Sequence, residues 1–511
     1  MIDNRVYPVV DLFAGPGGLG EGFASLRQPQ ERNSYAFRTA ISIEKDIHAH
    51  KTLQLRHFYR GFHPDLVPDN YYHYLEGRIS LEELYLLHPE EASQAQQTAW
   101  CCTLGEEPHA NVKSRISEAL VGHQKWALVG GPPCQAYSRV GRSRMKGNPE
   151  FESDPRHFLY KEYLQILADH KPPVFVMENV KGLLSSKIQG RYVINDILRD
   201  LSNPGYAVLG NDSGLGYNLY SLSEPGLRNN DSDPGAFIVK AEEYGIPQAR
   251  HRIFIVGIRN DIDVRPSVLE RTAPCSVTDV IGDMPMLRSG ISKSPDSYDL
   301  WKQTLEGMTD QPWFIKGREN GLIDFARLTD QVLLLLDNKK LKKSDETYSP
   351  SHALNGWFSD ERLTVLLSHL SRPHMKSDLH RYFYAALYAT VNHMSPKLSD
   401  FPQELLPNHK NVELGRKGEM FADRFRVQLP DAPATTITSH ISKDGHYFIH
   451  YDPVQCRSLT VREAARLQTF PDNYKFEGTR TAQYHQVGNA VPPLLANKIA
   501  GVVYEVLEGM D

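Results

Sequence analysis

The chain has 511 residues, of which 40% are hydrophobic and 23% charged, and its formal net charge is −5. That length exceeds what one hydrophobic core usually organises and predicts a large domain with a smaller companion, and the globular composition excludes a disordered chain. The acidic balance excludes a general nucleic-acid coat, so any such contact rests on local patches; five cysteines without a CxxC pair exclude a disulfide framework and a zinc site, so no metal is expected.

The residues ahead of Tyr7 show no secretion-signal pattern and no run of about 18 apolar residues follows, so a soluble, cytoplasmic protein without membrane contact is expected. Tyr7 to Leu12 read as a strand, Ala14-Gly15-Pro16-Gly17-Gly18-Leu19-Gly20 as a glycine turn, and Glu21 to Ala24 as the start of a helix. A second strand, Ala40 to Ile43, ends in Glu44. This is the opening βαβ unit of a doubly wound sheet. Phe13, Gly15, Gly17, Gly18 and Glu44 suit either a nucleoside-type cofactor, whose ribose the carboxylate would hold, or a tight structural turn. The spacing departs from GxGxxG and disfavours a dinucleotide.

Trp126 to Val129, Val174 to Met177 and Arg252 to Ile258 read as further strands, with helices at Phe158 to His170 and Val193 to Leu201. Alternation up to about residue 260 implies an α/β domain with a mostly parallel sheet. Cys134 follows a strand through Gly130-Gly131-Pro132-Pro133, at the sheet's carboxyl edge. A lone cysteine is commonly a buried structural residue, yet two prolines before it and Gln135-Ala136-Tyr137-Ser138-Arg139 after it make a poor core segment, and arginines nearby favour a thiolate. Glu178 closes another strand, as a reactive acid or a helix cap. Gln248, Arg250 and Arg252 alternate, which in an extended segment puts them on one face, pairing with carboxylates or with substrate.

The polar stretch from Asn211 to Ala236 reads as a surface loop. After about Pro266 the βα alternation stops; a helix is expected at Leu379 to Tyr388 behind a Ser377-Asp378 cap, and later helices at Val461 to Leu467 and Leu494 to Leu507. Two basic runs, Arg139, Arg142, Arg144 and Lys146, and Lys339, Lys340, Lys342 and Lys343, are either nucleic-acid contacts or solvated faces.

Six segments in order carry a resemblance: Asp11-Leu12-Phe13-Ala14-Gly15-Pro16-Gly17-Gly18, Gly131-Pro132-Pro133-Cys134-Gln135, Glu178-Asn179-Val180, Gln248-Ala249-Arg250-His251-Arg252, Leu459 to Gln468, and Gln486-Val487-Gly488-Asn489-Ala490-Val491-Pro492. Together they resemble the DNA cytosine-5 methyltransferase family. The resemblance implies a Rossmann-like catalytic and cofactor-binding domain at 1–265, a smaller target-recognition domain at 266–455, and a segment at 456–511 returning to the first. It implies S-adenosyl-L-methionine as cofactor, lined by Phe13, Gly15, Gly17, Gly18, Glu44, Pro133, Asn489 and Val491. It places Cys134, Glu178, Arg250 and Arg252 in catalysis, and Gln135, Ser138, Asn179, Gln248, Arg139 and Arg142 at the substrate.

Double-stranded DNA is the implied partner, with a cognate restriction endonuclease acting on the same site as a further expectation; a monomer suffices for the reaction. A tRNA methyltransferase of the same fold and a catalytically silent DNA-binding regulator are the competing readings. The size of the middle domain favours duplex DNA, and intact Cys134, Glu178 and Arg252 disfavour the regulator. The family's acidic residue for the adenine amino group has no clear counterpart here: the segment Lys51 to Val121 offers only Glu106 and Glu107.

Overall fold

A computed structural model describes residues 6–29, 31, 34–133, 156–188, 191–210, 214–226, 233–319, 323–408, 412–418 and 421–510. The chain divides into two compact units, one formed by Met1–Ala273, Phe476–Gly478 and Ala490–Asp511, the other by Pro274–Lys475 and Thr479–Asn489.

The first unit is built on an eight-stranded sheet whose strands are β1 (Tyr7–Leu12), β2 (Phe37–Glu44), β3 (Ala99–Cys101), β4 (Ala127–Gly130), β5 (Val174–Val180), β6 (Tyr217–Tyr220), β7 (Ile238–Lys240) and β8 (His251–Arg259). The spatial order is β3-β2-β1-β4-β5-β8-β6, with β7 also on β8. The pairs among β1 to β5 are parallel, while β8 runs antiparallel to β5, β6 and β7. This is the expected doubly wound, mostly parallel α/β fold.

Continuous apolar strands are explained by two covered faces. Side chains alternate across each strand, so Val10, Leu12, Leu128, Phe175 and Met177 enter one core, and Val9, Ala127, Val129, Val174 and Val176 the other. On the second face, α1 (Gly18–Ala24) meets the C-terminal helix Pro493–Glu508. Gly22 is required there, since a Cβ at its position would stand 2.3 Å from the Ala496 Cβ. Among the described residues, Arg480–Glu508 is the stretch long and apolar enough to cross a membrane; its C-terminal half owes that apolarity to this packing.

One stretch given no elements from the sequence is helical, and one expectation changes. The segment after residue 50 holds α2 (Ile47–Arg60), α3 (Asp69–Leu75), α4 (Leu81–Leu87), α5 (Pro89–Thr98) and α6 (His109–Ala119), with β3 between the last two. The supposed loop at 211–236 contains β6, where Tyr217, Leu219 and Tyr220 are buried against β8. Polar neighbours disguised a four-residue strand that β8 recruits through long-range pairing.

The second unit is mostly helical. Helices Tyr298–Glu306, Ile323–Asn338 and Lys376–Asn392 supply Trp301, Leu305, Leu336, Tyr382, Phe383 and Leu387 to its core. The Lys376–Asn392 helix starts earlier than the Ser377-Asp378 cap predicts: Met375 is the cap residue, and Asp378 instead bonds Arg381 at 2.8 Å. The short helix Val461–Leu467 falls where its spacing predicts, closed by a reciprocal Thr460–Glu463 capping box. Residues 456–475 belong to this second unit.

Candidate active site

The connection from β1 passes outward to β2 and β3, then returns to β4 on the other flank of β1. That reversal opens a crevice beyond the carboxyl ends of β1 and β4, where open α/β sheets bind ligands. Phe13, Gly15 and Gly17 follow β1 with φ of 55°, 57° and 89°, so the chain coils through left-handed conformations before α1. A Cβ on Gly15 would meet nothing within 4 Å, leaving the backbone open. Gly18 is close-packed instead, because a Cβ there would lie 2.2 Å from the Val491 carbonyl oxygen. The structure thus brings Val491 to the glycine turn.

Glu44, at the end of β2, accepts hydrogen bonds from the Gly15 amide at 2.8 Å and the Asp46 amide at 2.7 Å. Asp46 also caps α2, accepting from the His48 and Ala49 amides. Two backbone donors therefore fix the Glu44 carboxylate in position. Each oxygen has a second lone pair that can accept from a ribose hydroxyl, and the open Gly15 backbone permits close approach. The donor set and the cradle fit an adenosyl cofactor. Asp11 lies beneath this turn at 1% exposure; burial pushes its carboxyl up to about 8, with Glu44 adding to the rise.

On the other flank, register places Glu178 of β5 opposite Phe254 of β8, making Arg252 its diagonal neighbour on the same face. Arg252 Nε stands 3.1 Å from Glu178 Oε1, with both side chains 16% exposed. Arg250 is buried beside them. Burial pulls both guanidiniums down from their ordinary value, and Glu178 counters that for each. Gly131 makes room for the acid: a Cβ there would sit 2.8 Å from Glu178 Oε2. Gly130, at φ 154°, would bring a Cβ within 2.4 Å of the Leu12 carbonyl oxygen.

Asn179 and Gln248 are both buried. Asn179 is 3% exposed, and its amide donates to the Pro132 carbonyl at 3.1 Å while its oxygen accepts from the Val180 amide. It therefore pins the chain leading out of β4. Gln248 is fully buried, and successive hydrogen bonds from Gln248 N to Ile246 O and from Arg250 N to Gln248 O make tight turns. The alternation is interrupted: Gln248–Ala249 is a separate two-residue strand, and β8 begins only at His251.

Pro133 is half-buried at the end of the described stretch, and Cys134, Gln135, Ser138, Arg139 and Arg142 lie outside the described residues, as do Arg144 and Lys146. Asn489 ends a helix of the second unit, where its side chain contacts His485. Glu106 is exposed, and Glu107 is half-buried and accepts from Asn111. Sequence reasoning missed Asp46 and Gly131. Asp46 had a readable signal, an Asp directly before a helical run; the role of Gly131 depends on a neighbouring strand and had none.

A nucleoside-accepting glycine turn and an acid–arginine pair at the switch point of this sheet define a class: α/β enzymes of the Rossmann-like methyltransferase type. The family model for C-5 cytosine-specific DNA methylase matches residues 91–505. The Type II methyltransferase M.Bpa9945I of Bacillus paralicheniformis is 32% identical, over 98% of this chain and 99% of its own. M.DdeI of Desulfomicrobium norvegicum is 24% identical, over 96% and 87%, and the DNA (cytosine-5-)-methyltransferase M.ApeKI of Aeropyrum pernix 27%, over 76% and 83%. The chain belongs to the C-5 cytosine-specific DNA methylase family, and is a DNA (cytosine-5-)-methyltransferase.

Proposed function

We propose that this enzyme methylates C5 of a cytosine in a specific duplex DNA sequence, as the modification partner of a restriction system, with S-adenosyl-L-methionine as donor and Cys134 as nucleophile. The observation that carries the reading is the Glu178–Arg252 pair beside Gly131, with Asn179 anchoring the chain two residues before Cys134. The Type II relatives support the restriction setting.

C5 of cytosine is too weak a nucleophile to act unaided. The Cys134 thiolate adds to C6, forming an S–C bond and giving C5 enamine character. Glu178 hydrogen-bonds N3 and holds the proton there as the ring accepts electrons. Arg252, fixed against Glu178, stabilises charge at O2, and Arg250 adds positive potential behind it. Bound against Glu44 and the glycine turn, the cofactor supplies an electrophilic methyl group. A base then removes the C5 proton, and the electron pair expels the thiolate of Cys134. Because duplex stacking hides C6, the base must be flipped out, at a cost of a few kcal/mol that DNA contacts offset.

The test incubates the protein with methyl-labelled S-adenosylmethionine and either duplex DNA or total tRNA. Label in DNA is expected; label in tRNA alone overturns the reading. Duplex containing 5-fluorocytosine, which has no C5 proton to lose, should trap a covalent adduct that Cys134→Ala does not form.

A further inference from the structure

Most buried arginines of the second unit face carboxylates. Arg288 meets Asp296, Arg457 meets Glu463, and Arg466 meets both Asp472 and Asp283, at N–O distances of 2.9, 2.6, 2.8 and 2.8 Å. Arg462 has no acid among these pairs, but donates to the carbonyls of Leu367, Pro471 and Tyr474. Among the described residues, Arg372 and Arg480 have neither an acid nor a full set of carbonyls: each donates to a single carbonyl. Neither forms an ion pair. Arg372 is 7% exposed, gives one hydrogen bond to the Ile441 carbonyl at 2.7 Å, and keeps its Nε buried without a hydrogen-bond partner. Arg480 is half-buried and donates to the Ser371 carbonyl at 3.2 Å.

The two are joined through Tyr484. Its ring lies 4.2 Å from the Arg372 guanidinium carbon, and it stands one helical turn after Arg480 on the helix Arg480–Asn489. Burial pulls the Arg480 guanidinium down, and the charge of Arg372 adds to that effect. Two cations held close in a partly dry setting are costly unless an anion joins them. His374 supplies no charge of its own, because burial and then Arg372 hold it far below the usual imidazole range.

We propose that Arg480, backed by Arg372 on the face of Tyr484, is a phosphate site that takes a backbone phosphodiester of the DNA substrate. A planar guanidinium with free donors is suited to two phosphate oxygens, and the restricted setting of Arg480 lowers the ordering cost of the contact. The inference rests on the DNA methyltransferase reading, and assigns the site to positioning rather than to base readout.

The affinity of full-length protein for duplex DNA is measured from 50 to 200 mM NaCl for wild type, Arg480→Gln and Arg480→Lys, with methyl transfer by wild type followed on the same duplex. Arg480→Gln should reduce the slope of log K against log salt by about one and weaken binding to all sequences alike, while Arg480→Lys keeps most of the slope. An unchanged slope in Arg480→Gln overturns the proposal. Thermal stabilisation by inorganic phosphate at matched ionic strength, lost in Arg480→Gln without a change in DNA slope, would instead assign the site to a free anion and also overturn it. Absence of methyl transfer by wild type sinks the enzymatic reading, independently of the slope.

Discussion

The two flanks of the switch point in the first unit solve opposite electrostatic problems. The β1–β2 flank carries one carboxylate held by backbone amides, Glu44, and beneath it the Asp11 carboxyl, which burial pushes up to about 8. The β5–β8 flank carries one buried guanidinium, Arg250, and one half-buried, Arg252, around one acid, Glu178. In the proposed reaction one side offers acceptors to the ribose hydroxyls of a cationic cofactor. The other offers donors, matching a ring that gains electrons as it reacts. On this proposal, ground-state binding and charge stabilisation are separated across a single sheet edge, so substitutions on the two flanks should fail differently.

The largest effect is expected on the donor flank. Glu178→Gln keeps the shape but removes the proton-holding oxygen, and should lower the single-turnover methylation rate by about 10²–10⁴-fold with cofactor affinity unchanged. A rate within threefold of wild type would remove Glu178 from the chemistry. Gly131→Ala tests the same flank sterically, because its Cβ would meet both Glu178 Oε2 and, at 2.9 Å, the Glu178 carbonyl oxygen. Displacing the carboxylate by roughly 1 Å should cost on the order of 10²-fold in rate. Calorimetric titration with S-adenosylmethionine should show the acceptor flank intact; a variant that instead loses cofactor binding would show that the two flanks are not separable.

The flanks also differed in how far sequence revealed them. The glycine turn and Glu44 are local features, since strand, turn and acid follow one another within one βαβ unit. Glu178 and Arg252 were legible as residues but not as a pair, because their contact is set by the β5–β8 register across more than 70 positions. The partner of Asn179 was hidden in the same way: the Pro132 carbonyl that its amide meets lies 47 positions away. In the second unit, the helices Tyr298–Glu306 and Ile323–Asn338 escaped notice, since proline-rich connectors hid elements that are stabilised chiefly by their shared core.

The acceptor flank predicts a pH effect. Asp11 has no cation among the influences on it, and burial raises its folded value to about 8 from an ordinary 3.8. Between those values the folded state binds more protons than the unfolded chain. Stability from this group is therefore complete below about pH 4 and is lost as pH rises through 8, with a slope of at most about 1.4 kcal/mol per pH unit. Asp11→Asn should flatten the fall in Tm between pH 5 and 8. Parallel melting curves for wild type and variant would show that the carboxyl is not carrying its proton in the folded protein.

The smallest effects come from two glycines in the packed helices behind the acceptor flank, and they should have opposite signs. Gly22 lies where α1 touches the C-terminal helix, and a Cβ there would also stand 2.6 Å from the Ala496 carbonyl carbon and the Asn497 amide nitrogen. Neither neighbour is a flexible side-chain end, so Gly22→Ala must push the helices apart, costing about 1–3 kcal/mol. Gly501 sits within the same C-terminal helix, yet a Cβ there would meet nothing within 4 Å. Gly501→Ala should stabilise by about 0.5–1 kcal/mol, because alanine narrows the unfolded ensemble and favours the helix. Chemical denaturation of both variants measures the contrast. Stabilisation by Gly22→Ala would mean that α1 is not held against Ala496, and the acceptor flank would then lose the rigid backing that fixes its glycine turn.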